Sequence, residues 1–195
     1  MRDSSFYDEI YFDGQGKSNY GGYTLQSSPF ARHAESVAGH MRAFGLVGPV
    51  LDVGCAKGYL VCVLRKRGID AFGVDWSKYA LATASPDVRR YLWLASAVQL
   101  PFASQAFSLT VTYDVLEHMD KPNARSALQE CARVSQRQLH QVNTGRLPEW
   151  GYEHDDSHAL QLSLSQWRVM VAELGLAGTT VCEPNPVPLA SSMPM

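Results

Sequence analysis

Val50-Leu51-Asp52-Val53-Gly54-Cys55-Ala56-Lys57-Gly58 is the stretch on which the reading of this chain turns. An apolar run, Pro49–Val53, stops at a turn bounded by Gly54 and Gly58. Beyond it Tyr59, Leu60, Val61, Val63 and Leu64 recur with helical spacing. The pattern predicts a buried strand, a tight loop and a helix start. Glycines in such a loop let the backbone approach a ligand, and a helix N-terminus presents N–H groups without intrahelical partners. Further on, a second strand, Ile69–Val74, ends in Asp75. An acid at the tip of the second strand is placed for ribose hydroxyls. Together these elements predict an adenosine-containing cofactor lying over the strand ends of an α/β sheet.

Working outward, the chain alternates. Strands are predicted at Val50–Val53, Ala71–Val74, Arg90–Ala95, Leu109–Tyr113, Gln138–Asn143 and Thr179–Cys182. Helices are predicted at Pro29–Phe44, Gly58–Arg67, Lys78–Ala84, Asn123–Val134 and Leu162–Leu174. Such alternation means a doubly wound, Rossmann-like α/β fold, mainly parallel, with helices on both faces of the sheet. At 195 residues the chain suits one domain with a sizeable core. It divides into an N-terminal lid and helix over residues 1–45, a cofactor-binding core over 46–143, and a substrate loop, helix and last strand over 144–195.

A dinucleotide fingerprint requires G-x-G-x-x-G. Counting from Gly54, Ala56 and Tyr59 stand where the later glycines belong, so the pattern fails. The order Asp52-x-Gly54-x-x-x-Gly58 instead resembles the first motif of class I S-adenosylmethionine-dependent methyltransferases, with Ala56 in place of the middle glycine. Gly73-Val74-Asp75-Trp76-Ser77 resembles that family's ribose-binding element. Leu100-Pro101-Phe102 with Phe107–Val111, and Tyr113-Asp114-Val115-Leu116-Glu117-His118, resemble the stretches around its fourth strand. The resemblance covers about Val50 to Asn143, with four motifs in order.

The resemblance implies S-adenosyl-L-methionine as cofactor and S-adenosyl-L-homocysteine as product. It implies cofactor contacts from Asp52, Gly54, Cys55, Ala56, Gly58, Asp75, Trp76, Ser96, Ala97, Val98 and Tyr113, with Tyr20 from the lid. The family often carries an acid where Ser96 stands. A serine oxygen still accepts a hydrogen bond, and the Ala97 backbone can serve beside it. The family also ends in an antiparallel hairpin. Here Pro184, Pro186 and Pro188 interrupt that region, because proline cannot donate to a strand ladder.

Residues 6–30 are dense in aromatics and glycines without a clean period. They suit a lid that excludes water, or a clasp on the sheet edge, and the two are compatible. Tyr7, Tyr11 and Tyr23 from this segment, with Glu117, Trp150 and Asp156, are the candidate substrate-binding residues. His118, His154 and His158 are the candidate general bases, since histidine titrates near neutral pH. His154-Asp155-Asp156-Ser157-His158 also has the side chains of a divalent metal site, or of a polar surface loop. No metal is assigned to it.

Net charge is −2, and the one dense basic cluster, Arg65-Lys66-Arg67, ends a predicted helix where cations suit the dipole. No clustered basic face argues for nucleic acid. No apolar run reaches a membrane span, the N-terminus lacks a signal-peptide core, and four cysteines without C-x-x-C spacing read as reduced thiols. The expectation is a cytoplasmic monomer or homodimer acting on a small-molecule methyl acceptor through an N, O or C nucleophile, with secondary metabolism as a setting. Its alternatives are an inactive cofactor-binding scaffold and a nucleotide-dependent oxidoreductase.

Overall fold

Val50–Val53 forms β1, and all four of its residues are buried. A strand buried on both faces needs neighbours on both edges and helices above and below. The computed structural model, which describes residues 3–14, 17–18, 23–25, 29–144 and 157–184, provides them. Ala71–Asp75 (β2) lies along one edge of β1, with Val50 opposite Ala71 and Val53 opposite Val74. Phe107–Tyr113 (β4) lies along the other. Leu92–Leu94 (β3), Ser135–Gln141 (β5) and Thr179–Cys182 (β6) complete the order β3-β2-β1-β4-β5-β6. Every pairing is parallel.

The helices follow from local chemistry. Phe30–Phe44 (α2) buries Phe30, His33, Ala34 and Val37, one stripe at helical spacing, and ends at Gly45 in the left-handed region. Tyr59–Lys66 (α3) buries Leu60, Val61 and Leu64. Lys121–Val134 (α6) starts where the Asp120 carboxylate accepts from the Asn123 N–H, and Leu164–Glu173 (α7) starts at a capping box made by Ser163 and Gln166. Lys78–Thr83 (α4) and Pro86–Arg89 (α5) cover the β2–β3 edge. The cations that end α3 have internal partners: Arg65 pairs with Asp70, and Arg67 joins Glu35 and the Ala31 carbonyl of α2.

Departures from the expected boundaries have physical reasons. β3 is shorter than Arg90–Ala95, because an edge strand bonds to one neighbour only and its side chains stay half exposed. β5 begins at Ser135, with α6 running into it without a linker; the polar Ser135-Gln136-Arg137 hides a strand that β4 pairs from Phe107 onward. The last described strand, β6, is parallel to β5, and no antiparallel strand occurs among the described residues. Pro186 and Pro188 lie outside them.

The N-terminal segment is docked on the core. Glu9–Phe12 (α1) follows a single 3-10 turn, Ser4–Phe6. Lys57, buried in the loop after β1, donates to both Asp13 carboxylate oxygens at 2.6 Å, and the Tyr79 hydroxyl donates to Asp13 at 2.7 Å. Ser77 Oγ donates to the Tyr7 carbonyl at 2.6 Å. Around these bonds Tyr7, Tyr11, Phe12 and Tyr23 form a run of edge-on ring contacts. Asp13→Ala should therefore speed amide hydrogen exchange across residues 3–14 and leave the amides of β1 and β4 at the wild-type rate. Unchanged exchange in residues 3–14 would show that the ring contacts and the Ser77–Tyr7 bond hold the segment without Asp13.

Candidate active site

In an open parallel sheet ligands gather beyond the carboxyl ends of the strands, where the strand order reverses. Here that point lies between β1 and β4. A cavity sits there, lined by Gly54 after β1, Val74, Asp75 and Trp76 after β2, Ala95, Ser96 and Ala97 after β3, and Tyr113, Asp114 and Val115 after β4. His118 and Met119 close one side, and Tyr7, Tyr11, Phe12 and Tyr23 close the outside. With the segment docked, the cavity has a volume of about 100 Å³ and is partly open to solvent. Small-molecule sites run to roughly 300–1,000 Å³, so this cavity is small beside them.

Two backbone features shape the floor. Gly54 has φ +80°, and a Cβ there would stand 2.5 Å from a Val115 methyl. Only glycine fits that turn. Ala56 has φ +48°, rare for a residue with a side chain. Its N–H donates to Asp75 Oδ2 at 2.8 Å, and the other oxygen, Oδ1, accepts from the Ser77 N–H at 2.7 Å. A carboxylate oxygen accepts more than one hydrogen bond, so both retain capacity for ribose hydroxyls.

The floor is electrostatically loaded. Burial pushes the Asp52 carboxyl up to about 8, with the nearby Asp75 charge adding to the rise. Burial raises Asp75 as well, against the pull of its backbone N–H bonds. The Tyr23 phenol lies well above its ordinary value through burial and the charges of Asp52 and Asp75, which sets the N-terminal segment beside both acids. The Cys55 thiol is raised in the same way and is not a nucleophile.

Of the predicted residues, the structure gathers Gly54, Ala56, Asp75, Trp76, Ser96, Ala97, Tyr113, Tyr7, Tyr11, Tyr23 and His118 around one cavity. Asp52, Cys55, Gly58 and Val98 do not line it. Gly58 is required by packing: a Cβ there would meet Leu92 at 2.8 Å. Cys55 fills the space that Gly73 leaves open. Glu117 is a correction. Its side chain is fully buried, Oε1 accepts from the Asn143 N–H at 2.6 Å, and its carbonyl accepts from Ala159 and Leu160. It ties the segment after β5 to the end of β4 and does not line the cavity. His158 does not line the cavity either; its ring meets the His118 ring edge-on at 4.7 Å. Tyr20, Trp150, His154 and Asp156 lie outside the described residues. The candidate site residues did not include Phe12, Val74, Ala95, Asp114, Val115 and Met119, which also line the cavity. Only Asp114, directly after β4, carried a signal, as a polar residue at a strand end.

An open parallel sheet with an acid at the tip of β2 and a crevice at its switch point defines a Rossmann-like, adenosine-cofactor class of domain. Comparison with known proteins shows what this core is similar to. Residues 51–138 match a methyltransferase domain model. The chain is 33% identical over 105 residues to the ubiquinone biosynthesis O-methyltransferase of Cronobacter sakazakii, covering 48% of this chain and 40% of that protein. It thus spans about two fifths of the length of that relative. Among solved structures, a SAM-dependent methyltransferase from Archaeoglobus fulgidus superposes with a TM-score of 0.55 at 18% identity, covering 73% of this chain and 68% of that one. The small RNA methyltransferase HEN1 superposes with a TM-score of 0.60 at 18% identity, covering 74% of this chain and 21% of that one. Residues 51–138 are thus similar to S-adenosylmethionine-dependent methyltransferase domains, a likeness that implies S-adenosylmethionine as cofactor. The chain is similar to proteins named for ubiquinone biosynthesis and for small RNA, so the likeness does not select the acceptor.

The Asp52 carboxyl makes a signed prediction. Its folded pKa of about 8 lies above the unfolded value, so the folded state holds a proton that the unfolded state has lost. Stability from this group is present below the unfolded pKa and is lost as pH rises towards 8. Asp52→Asn removes the loss. The stability advantage of Asn over Asp should grow from about pH 5 to pH 8, by at most about 1.4 kcal/mol per pH unit. Denaturant melts of both proteins across that range measure it, and a difference independent of pH would mean that Asp52 stays ionised.

Proposed function

We propose that this chain transfers the methyl group of S-adenosylmethionine to an N, O or C nucleophile of a small metabolite, by in-line displacement. The observation that carries the reading is the cavity at the β1–β4 switch point, with Asp75 on its floor and an aromatic wall outside it. The chemistry of these side chains suits the cofactor. Asp75 offers acceptors for ribose hydroxyls, and Ser96 and Ala97 lie where a base edge would reach. Trp76 presents a flat face. The tyrosine rings offer cation–π attraction to a sulfonium.

The bound sulfonium supplies a methyl group already activated for transfer. What remains for the protein is alignment and exclusion of water. The loop 54–56 and Asp75 fix one end of the ligand. Tyr7, Tyr11 and Tyr23 cover it, and the Lys57–Asp13 pair holds the cover down. His118 stands on the cavity wall on the acceptor side of this reading. Among the described residues no helix is long and apolar enough to cross a membrane.

S-adenosylhomocysteine should raise the melting temperature, because a ligand that binds only the native state stabilises it by mass action, while NAD should leave it unchanged. No shift at saturating S-adenosylhomocysteine would remove the reading; a shift without methyl transfer to any metabolite pool would favour a cofactor-binding scaffold. Asp75→Ala should lower S-adenosylhomocysteine affinity about tenfold or more through lost charge-assisted hydrogen bonds. It should also lower the melting temperature, because the Ala56 and Ser77 N–H groups lose their acceptor. Calorimetry and a thermal melt read the two effects separately.

A further inference from the structure

His118 is held from outside its own element. Ser157 Oγ lies 2.8 Å from His118 Nδ1, and both side chains are buried. The segment that carries Ser157 is clamped in place two residues on, where the Ala159 and Leu160 N–H groups both donate to the Glu117 carbonyl at 2.9 Å. The Glu117 carboxylate reaches Asn143 at the end of β5. The His158 ring packs edge-on against His118, and Tyr7 packs edge-on at 6.2 Å. Asp114 shares the cavity wall with His118. The imidazole therefore has a fixed plane, with Nδ1 assigned to serine.

A nitrogen held by a hydrogen bond sets the proton position on the other nitrogen. A neutral amine needs no base to attack a methyl group, whereas a hydroxyl attacks well only as its proton leaves. We propose that Ser157 is a positioning residue: its Oγ accepts from His118 Nδ1–H, so that Nε2 takes the proton of a phenol or alcohol acceptor. The proposal rests on the methyl-transfer reading and narrows it to an oxygen nucleophile. In the step, the acceptor oxygen forms the bond to the methyl carbon while the carbon–sulfur bond breaks with its electron pair on sulfur. The hydroxyl proton moves to Nε2, and the resulting imidazolium keeps its Nδ1–H on Ser157. Nothing else is consumed, and the proton later leaves to water.

The test is histidine ¹⁵N NMR on the full chain, with the His118 signals assigned by their loss in His118→Gln. Phenol serves as the probe acceptor and anisole, which has no O–H, as its control. Wild type should carry its neutral-form proton on Nδ1, and phenol but not anisole should shift the Nε2 resonance. Ser157→Ala should redistribute the proton between the two nitrogens, shift the His118 titration and weaken the response to phenol, while Ser157→Thr keeps the wild-type pattern. S-adenosylhomocysteine affinity should stay within about twofold in Ser157→Ala. A proton on Nε2 in wild type, equal responses to phenol and anisole, or an unchanged tautomer and titration in Ser157→Ala would each overturn the proposal. The tautomer and phenol measurements on wild type decide it even where a variant does not fold. Failure of S-adenosylhomocysteine to bind wild type would instead remove the methyl-transfer reading, and the ring measurement would still judge the serine–histidine pair.

Discussion

The carboxylate of Asp75 organises the site. One oxygen holds the Ala56 N–H and the other holds the Ser77 N–H. The first bond keeps the loop after β1 in a turn that places an alanine in the left-handed region, a conformation that costs roughly 1–3 kcal/mol unless its surroundings enforce it. The second bond sets Ser77, whose Oγ caps α4 through the Ala80 N–H and donates to the Tyr7 carbonyl. A single side chain at the tip of β2 thus connects the ligand loop, the following helix and the aromatic lid. Its burial works against its ionisation, and the two N–H bonds work for it. The same bonds explain why Ala56 suffices where the family resemblance calls for glycine: the carboxylate holds the strained turn that a glycine would adopt unaided.

The parts legible in the sequence are those fixed by local chemistry. β1, its turn and α3 carry an apolar run, two glycines and helical spacing, and each survives in the structure within a residue or two. Asp75 is legible because a strand tip followed by a helix cap has few other readings. What escaped depends on tertiary pairing. The polar start of β5 becomes a strand only because β4 lies beside it. Glu117 stands in a motif that invites a site role, yet its carboxylate is spent on a backbone N–H that folding brings from Asn143. Ser157 offered nothing in sequence beyond a place between charged neighbours. Its meaning arises from a hydrogen bond to a ring 39 positions away.

The lid adds an energetic constraint. Tyr7, Tyr11 and Phe12 are buried against the core, so opening the cavity exposes aromatic surface to water at about 25 cal/mol per Å² of apolar area. The Lys57–Asp13 pair adds to the barrier, because a lysine buried in the loop is left without its carboxylate when the lid lifts. Lys57 belongs to the very loop that borders the ligand, so lid closure and loop geometry are set by one residue's two ends: its backbone between Gly54 and Gly58, and its ammonium on Asp13.

Charge discriminates among cofactors independently of the glycine count. A pyrophosphate needs converging N–H donors and positive potential. Here the loop's Ala56 N–H is already given to Asp75, and Lys57 turns its ammonium away to Asp13. What faces the ligand space is negative or awaiting deprotonation: Asp75 and Asp114 on the cavity wall, with Asp52 close behind at a raised pKa. Two buried carboxyls, one of them raised further by the charge of the other, are costly in an empty site, and a cationic ligand relieves that cost by stabilising their ionised forms. A sulfonium with an adjacent ammonium is such a ligand. A dinucleotide, which brings two phosphates, would deepen the repulsion. The acid-rich floor therefore suits a positively charged adenosine cofactor on the same physical ground that raises Asp52.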